Sequence, residues 1–285
     1  MKLSFGGTDN KLSSFKDAKV VIVPVPYGET VSYKKGTENG PSAILNASDN
    51  MELFDEELKK ETYIIGINTM PSLEVKGLRP EEMVGVVEAK VSDVFKHNKM
   101  PVILGGEHTL TIGAILAAKK EYKDLSILYF DAHYDLKDSY EGTKYSHACV
   151  ARRLLESAPI VEAGVRSLSK KEHDFLRGKS NINIINMFDI MKIPDWAGVV
   201  KKHLSRNVYI TIDLDVFDPS IMPSVGTPEP GGMGWYEFLE AIKHIIGGKK
   251  IVGFDVVELC PAKDMIAADF MAAKLIYKIL GYIFS

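Results

Sequence analysis

A chain of 285 residues, 46% of them hydrophobic, can bury a full-sized core without disulfides or a structural metal, which excludes the small stapled scaffolds. Its 35 basic and 38 acidic side chains are scattered over the whole length and leave a formal charge of -3, so no basic face for nucleic acid and no polybasic membrane anchor is expected, and the partner is a small molecule. The two cysteines, Cys149 and Cys260, form no CxxC pair, which fits a reducing, cytoplasmic compartment and argues against a thiolate zinc site.

The first residues, MKLSFGGTDNKLSSF, carry no long apolar run after Lys2 and read as a surface segment rather than a secretory signal. Short runs without polar alternation then recur: 19–26, 63–67, 101–105, 125–130, 160–165, 182–187, 208–212 and 250–257. Such runs suit strands buried on both faces, as in a parallel sheet. Helical patterns lie between several of them. The clearest follows Arg79, where Met83, Val86, Val87, Val91, Val94 and Phe95 fall on one stripe. The segment VGTPEPGGMG at 225–234 reads as a loop from its turn chemistry. Near the C-terminus AADFMAAKLIYKILGYIF is apolar, but Asp269, Lys274 and Lys278 interrupt it too closely for a membrane span of about 20 apolar residues. A buried amphipathic helix is expected there. With no linker or internal repeat, the alternation predicts one α/β domain over residues 1–285, a doubly wound sheet with helices on both sides.

In such a sheet ligands bind beyond the carboxyl ends of the strands. Four predicted strand ends carry acids or histidines: Glu107 and His108 after the third run, Asp131, His133 and Asp135 after the fourth, Asp213 and Asp215 after the seventh, and Glu258 after the last. Asp131, His133 and Asp135 are two residues apart, so an extended chain turns all three to one side, and Asp213 and Asp215 repeat the spacing. Like charges grouped at a buried edge cost several kcal/mol unless something positive neutralises them. The four aspartates balance two divalent cations, and His108 and His133 add neutral imidazoles. A donor set of oxygen and imidazole without sulfur favours manganese or a similar ion over a structural zinc, with zinc and iron left open. An aspartate after a strand is by itself more often the N-cap of a helix, but the two motifs together outweigh that reading.

The motifs GGEHTLT, DAHYD, SHACVARR, IDLDVFDP, GTPEPGG and DVVEL resemble, in that order, those of the arginase and agmatinase (ureohydrolase) family, from about residue 20 to the C-terminus. The resemblance implies a three-layer α/β/α fold with an eight-stranded parallel sheet and two Mn²⁺ ions. By position, His108, Asp131, Asp135 and Asp213 would hold one ion and His133, Asp131, Asp213 and Asp215 the other, with Asp131 and Asp213 bridging. It also implies hydrolysis of agmatine to urea and putrescine, with Asp135 moving a proton to the leaving amine, His147 as proton shuttle and Glu258 paired with the guanidinium. Arg152, Arg153 and Arg166 match family positions read as structural salt bridges. Homotrimers or homohexamers are expected by the same resemblance.

GTPEPGG looks more like agmatinases than arginases, and the residues that serve the amino-acid end of arginine depart from the arginase pattern. Lys137 stands where an Asn is expected, Ser169 where an Asp binds the α-amino group, and Cys260 where Asn is commoner. The rival readings are another ureohydrolase, acting on arginine or a guanidino acid such as guanidinobutyrate, an amide deacetylase of similar fold with one zinc, and a catalytically silent subunit.

Overall fold

Apolar runs without polar alternation are fully buried only when both faces of a strand are covered, and here they form the middle layer of an α/β/α sandwich. The computed structural model describes residues 4–7 and 11–285. In chain order these form β1 (Val20–Val25), α1 (Gly40–Ser48), β2 (Phe54–Asp55), β3 (Lys60–Glu61), β4 (Ile67–Thr69), α2 (Pro80–Lys96), β5 (Met100–Gly105), α3 (Thr111–Glu121), β6 (Leu125–Phe130) and α4 (Val150–Leu154). Then follow β7 (Ile160–Ala163), α5 (Lys170–Leu176), β8 (Ile182–Ile185), α6 (Met187–Lys192), α7 (Trp196–His203), β9 (Asn207–Asp213), α8 (Trp235–Ile246), β10 (Lys250–Val257) and α9 (Ile266–Ile283). Strands β2 and β3 form a small antiparallel pair. The other eight make one all-parallel sheet in the order β4-β1-β5-β10-β9-β6-β7-β8.

Successive residues of each strand feed opposite cores. Val20 and Ile22 pack with Phe238 of α8 and Ile276 of α9, whereas Val21 and Val23 pack with Val87 of α2 and Ile115 of α3. The last two strands to form along the chain, β9 and β10, lie in the centre between β5 and β6. The four strands whose ends carry the predicted polar groups are therefore neighbours, and their loops open into one crevice.

Three expectations need correction. Residues 63–67 are not a strand: Thr62–Ile65 form a 3-10 turn, Gly66 has φ +81, and β4 begins only at Ile67. On α2, Val84 rather than Val86 joins the core, and Val86 is exposed. Phe5 is not at the surface but wholly buried, its amide donating to Thr69 Oγ1; residues 1–3 and 8–10 of that predicted surface segment lie outside the described residues. The C-terminal run is the buried helix expected, with Lys278 paired to Asp55 at 3.2 Å and Glu57 at 2.8 Å. No described helix is long and apolar enough to cross a membrane.

Candidate metal centre

The site begins with two glycines at the end of β5. Gly106 donates its amide to Val25 O at 3.0 Å and Glu107 to Tyr27 O at 2.8 Å, so the segment after β5 lies directly on the segment after β1. A Cβ on Gly106 would meet Tyr27 O at 1.9 Å. Gly106→Ala is accordingly expected to cost about 3 kcal/mol and to lower the melting temperature by about 6 °C or more in a thermal scan.

His108 follows at once, its position set by two anchors. Its backbone N–H donates to Glu258 Oε1 at 2.8 Å, and its Nε2 lies 2.8 Å from Thr211 Oγ1. Thr211 gives its only proton to Asp255 Oδ1 at 2.5 Å, and Thr111 donates to Asp255 Oδ2 at 3.1 Å. Thr211 is thus left to accept from His108 Nε2–H, and that order turns the Nδ1 lone pair towards the carboxylates.

His108 Nδ1 sits 3.1 Å from Asp131 Oδ2, 3.3 Å from Asp213 Oδ2 and 3.5 Å from Asp135 Oδ2. His133 Nδ1 sits 2.8 Å from Asp215 Oδ2 and 3.5 Å from Asp131 Oδ1. Two groups able to hold a cation result, His108 with Asp131 and Asp213, and Asp131 with His133 and Asp215. Asp131 belongs to both. Asp213 faces only the first group, its Oδ1 being used by the Asp215 amide at 2.9 Å. Asp135 approaches His108 without being a member of either group, steadied by the Tyr129 hydroxyl, which donates to its Oδ2 at 2.8 Å.

The residues fit divalent cations. Asp131 is wholly buried, yet its Oδ2 makes no hydrogen bond and points at the space that His108 Nδ1 also faces. Acceptors converging at such distances need protons or cations between them. Without cations the electrostatics fall to protons. Burial works against protonated His133, but Asp215 and Asp131 outweigh it and push its pKa up to about 12. Burial, reinforced by Asp131, raises Asp135 to about 8, and burial with Asp215 raises Asp213. Burial alone would raise Asp131 as well, but the two imidazoles hold it below the usual carboxylate range.

Above this floor lies a cavity of about 280 Å³ whose lining includes His108, His133, Asp135, Asp213, Asp215, His147 and Glu258. Glu258 pairs with no Arg or Lys among the described residues: one oxygen holds the His108 amide and the other lies next to Gly226 in the cavity lining. Burial, with Glu107 nearby, pushes its pKa up to about 8. Glu258 and Asp135 both carry positive φ, 66° and 47°, a backbone strain of about 1 kcal/mol or more for such residues. Burial pushes His147 down to about 4.

Residues 18–281 match the model of the Arginase family. The chain belongs to the arginase family. An N(1)-aminopropylagmatine ureohydrolase of Synechocystis sp. is 38% identical over 279 residues, 95% of this chain and 91% of that protein. An agmatinase of Pyrococcus horikoshii is 34% identical over 269 residues, 93% of this chain and 92% of its own length. The solved agmatine ureohydrolase of Thermoplasma volcanium superposes with a TM-score of 0.86 at 32% identity, covering 99% of this chain and 94% of that one. The eight-stranded parallel sheet expected of an arginase-family ureohydrolase is the sheet observed.

In this arginase-family chain the residues that depart from the arginase pattern have local partners. Lys137 lies over the Tyr140 ring at 4.4 Å. Ser169 caps α5, accepting the Glu172 amide while its hydroxyl donates to the Glu172 carboxylate. Cys260 donates its thiol to Lys35 O at 3.3 Å. Arg152 and Arg153 pair with Asp138 as expected, but Arg166 makes no salt bridge among the described residues: it donates to the carbonyls of Gly164, Asp215, Val216, Phe217, Glu229 and Pro230, pinning the GTPEPGG loop to the end of β9. Sequence reasoning missed Thr211, Asp255 and Tyr129. An aspartate inside the apolar run GFDVV was the one available signal, since an acid in the middle of a buried strand needs partners.

Proposed function

We propose that this ureohydrolase is a binuclear manganese enzyme that releases urea from an agmatine skeleton, with N1-aminopropylagmatine as the preferred substrate and agmatine as the simpler alternative. The observation that carries this reading is one buried carboxylate, Asp131, shared by two His/Asp groups on the floor of a cavity that also presents Glu258. His108, Asp131, Asp135 and Asp213 are the proposed ligands of one ion, and His133, Asp131, Asp213 and Asp215 those of the other; Asp135 at the first ion and Asp213 at the second are included on the family resemblance, since the structure groups neither with those partners. Bound divalent cations supply a water of lowered pKa and positive charge at the reacting carbon.

The chain's own groups do the rest. Glu258, which lines the cavity, offers its second oxygen to the planar guanidinium and orients it over the floor. Water adds to the guanidinium carbon, Asp135 takes the proton released and returns it to the departing alkylamine nitrogen, the C–N bond breaks, and urea leaves. His147 exchanges protons with solvent at the cavity rim. Ser169, which stands where an aspartate would meet an α-amino group, is committed to capping α5, while the Lys137 ammonium lines the cavity and is the group that a substrate carboxylate would meet. Losing that aspartate disfavours a tail with an α-amino group, and the 38% identical relative favours the longer aminopropyl tail.

Comparing kcat/KM for N1-aminopropylagmatine, agmatine, arginine and 4-guanidinobutyrate tests the specificity. The two agmatines should exceed the others by about a hundredfold, with the aminopropyl compound ahead. Faster turnover of agmatine would restore the simpler substrate, arginine in front would overturn the argument from Ser169, and guanidinobutyrate in front would assign Lys137 to a substrate carboxylate. Assembly as a homotrimer or homohexamer in the cytoplasm belongs to the same proposal, supported by apolar surface at Phe188 and Met191 of α6, 71% and 78% exposed.

A further inference from the structure

Glu107 is fully buried beside the candidate metal centre but turns away from it, and its carboxylate is occupied by hydroxyl and amide donors. Thr30 supplies two of them, its backbone N–H to Oε2 at 2.7 Å and its hydroxyl to Oε1 at 2.5 Å, and Thr109 adds a third to Oε1 at 2.7 Å. Two of these three hydrogen bonds thus come from a residue 77 positions earlier in the chain. The partner of Thr30 on its other side is His147, whose backbone N–H donates to Thr30 Oγ1 at 3.2 Å.

The direction of these bonds reaches the imidazole. Thr30 has one hydroxyl proton and gives it to Glu107, so towards His147 it only accepts. Its Oγ1 lies 3.5 Å from Nδ1, where it is met favourably only by an Nδ1 that carries hydrogen. Ser146 Oγ, 3.4 Å from the same nitrogen, can accept that hydrogen too, its hydroxyl being able to serve either way. Ser32 Oγ lies 3.2 Å from Nε2 and can donate to it. In the neutral ring Nε2 then keeps its lone pair, the nitrogen that can take up a proton. We propose that Glu107 is a positioning residue: acting through Thr30, it fixes the backbone and the tautomer of His147.

The proposal rests on the ureohydrolase reading for the role of His147, and the experiment separates the two. Manganese-loaded Thr30→Val and Thr30→Ser are compared with the wild type for urea release from the agmatine it turns over, alongside metal content. Thr30→Val should lose kcat about tenfold, a fraction of what a proton-transfer group contributes, with KM within about twofold and metal content unchanged. Thr30→Ser, which keeps the hydroxyl, should retain most of kcat. Wild-type kcat in Thr30→Val, an equal fall in both variants, or a fall that follows lost metal would each overturn the proposal. A second arm needs no turnover: amide hydrogen exchange of the 28–36 segment should accelerate about tenfold in Glu107→Leu, which has no oxygen to accept the Thr30 N–H. Unchanged protection there overturns the proposal even if no guanidino compound yields urea, an outcome that would separately refute the proposed reaction.

Discussion

Asp131→Asn is expected to reduce urea release by at least about a thousandfold, the scale of losing metal-assisted activation of water, and to leave the purified protein with fewer than two metal ions per chain. The effect is large because Asp131 serves both groups at once. Its Oδ1 accepts the His133 amide at 2.6 Å, and its Oδ2 is buried without a hydrogen bond. Asparagine keeps the shape and one acceptor but gives up the charge, and its amide nitrogen would stand where an acceptor faces the cation. The fold should survive, since the substitution removes one of several clustered buried charges rather than a packing contact. Elemental analysis, a urea assay and a thermal melt on the same preparation check all three parts. Normal turnover, or full metal content with lost turnover, would place the metal elsewhere.

The second large effect is on stability and its pH dependence. Two ions bound at about a thousandfold above their dissociation constants stabilise the native state by about 4 kcal/mol each, a rise in melting temperature on the order of 15 °C. After chelation the same side chains decide the pH profile. Asp135 and Glu258 titrate at about 8, His133 at about 12, and Asp213 and Asp215 are raised, each above its unfolded value. The native state therefore holds more protons than the unfolded chain. The stability these groups contribute is complete below their unfolded pKa values, about 4 for the carboxyls and about 6.5 for the imidazole, and is lost as pH rises through 8 towards 12. His147, titrating at about 4 when folded, opposes this trend only below about pH 6.5, and Asp131, held low, only below about pH 4. The chelated protein should melt progressively lower from about pH 6.5 to 9. With manganese the slope should reverse, because the ligands bind the ion only after losing their protons. A chelated protein with a flat melting temperature over that range would contradict the grouping of acids.

Much of this was legible in the sequence because burial imposes simple patterns. Seven of the eight apolar runs became strands of the parallel sheet where expected, while the run at 63–67 failed because Gly66 takes a left-handed conformation that apolar content does not announce. The site residues were found by their place at strand ends, but not for the geometrical reason given. Extended spacing would have turned Asp131, His133 and Asp135 to one side, whereas β6 ends at Phe130 and Asp135 has φ +47. Asp215 likewise sits in a 3-10 turn, its amide bonded to the Asp213 side chain. Type and position survived because the cost of unbalanced buried charge does not depend on the backbone path. What stayed hidden were partners far apart in sequence: Thr211 with Asp255, Thr30 with Glu107, and Arg166 with six carbonyls. No spacing rule connects such pairs, and only the order of strands in the sheet brings them together.

The most direct test is to titrate metal-depleted protein with Mn²⁺ while measuring urea released from N1-aminopropylagmatine and from agmatine. Urea release should be absent without metal, appear with added Mn²⁺ and reach its plateau at two ions per chain. A plateau at one ion would contradict the binuclear centre, and no urea from either compound at any loading would contradict the proposed reaction itself.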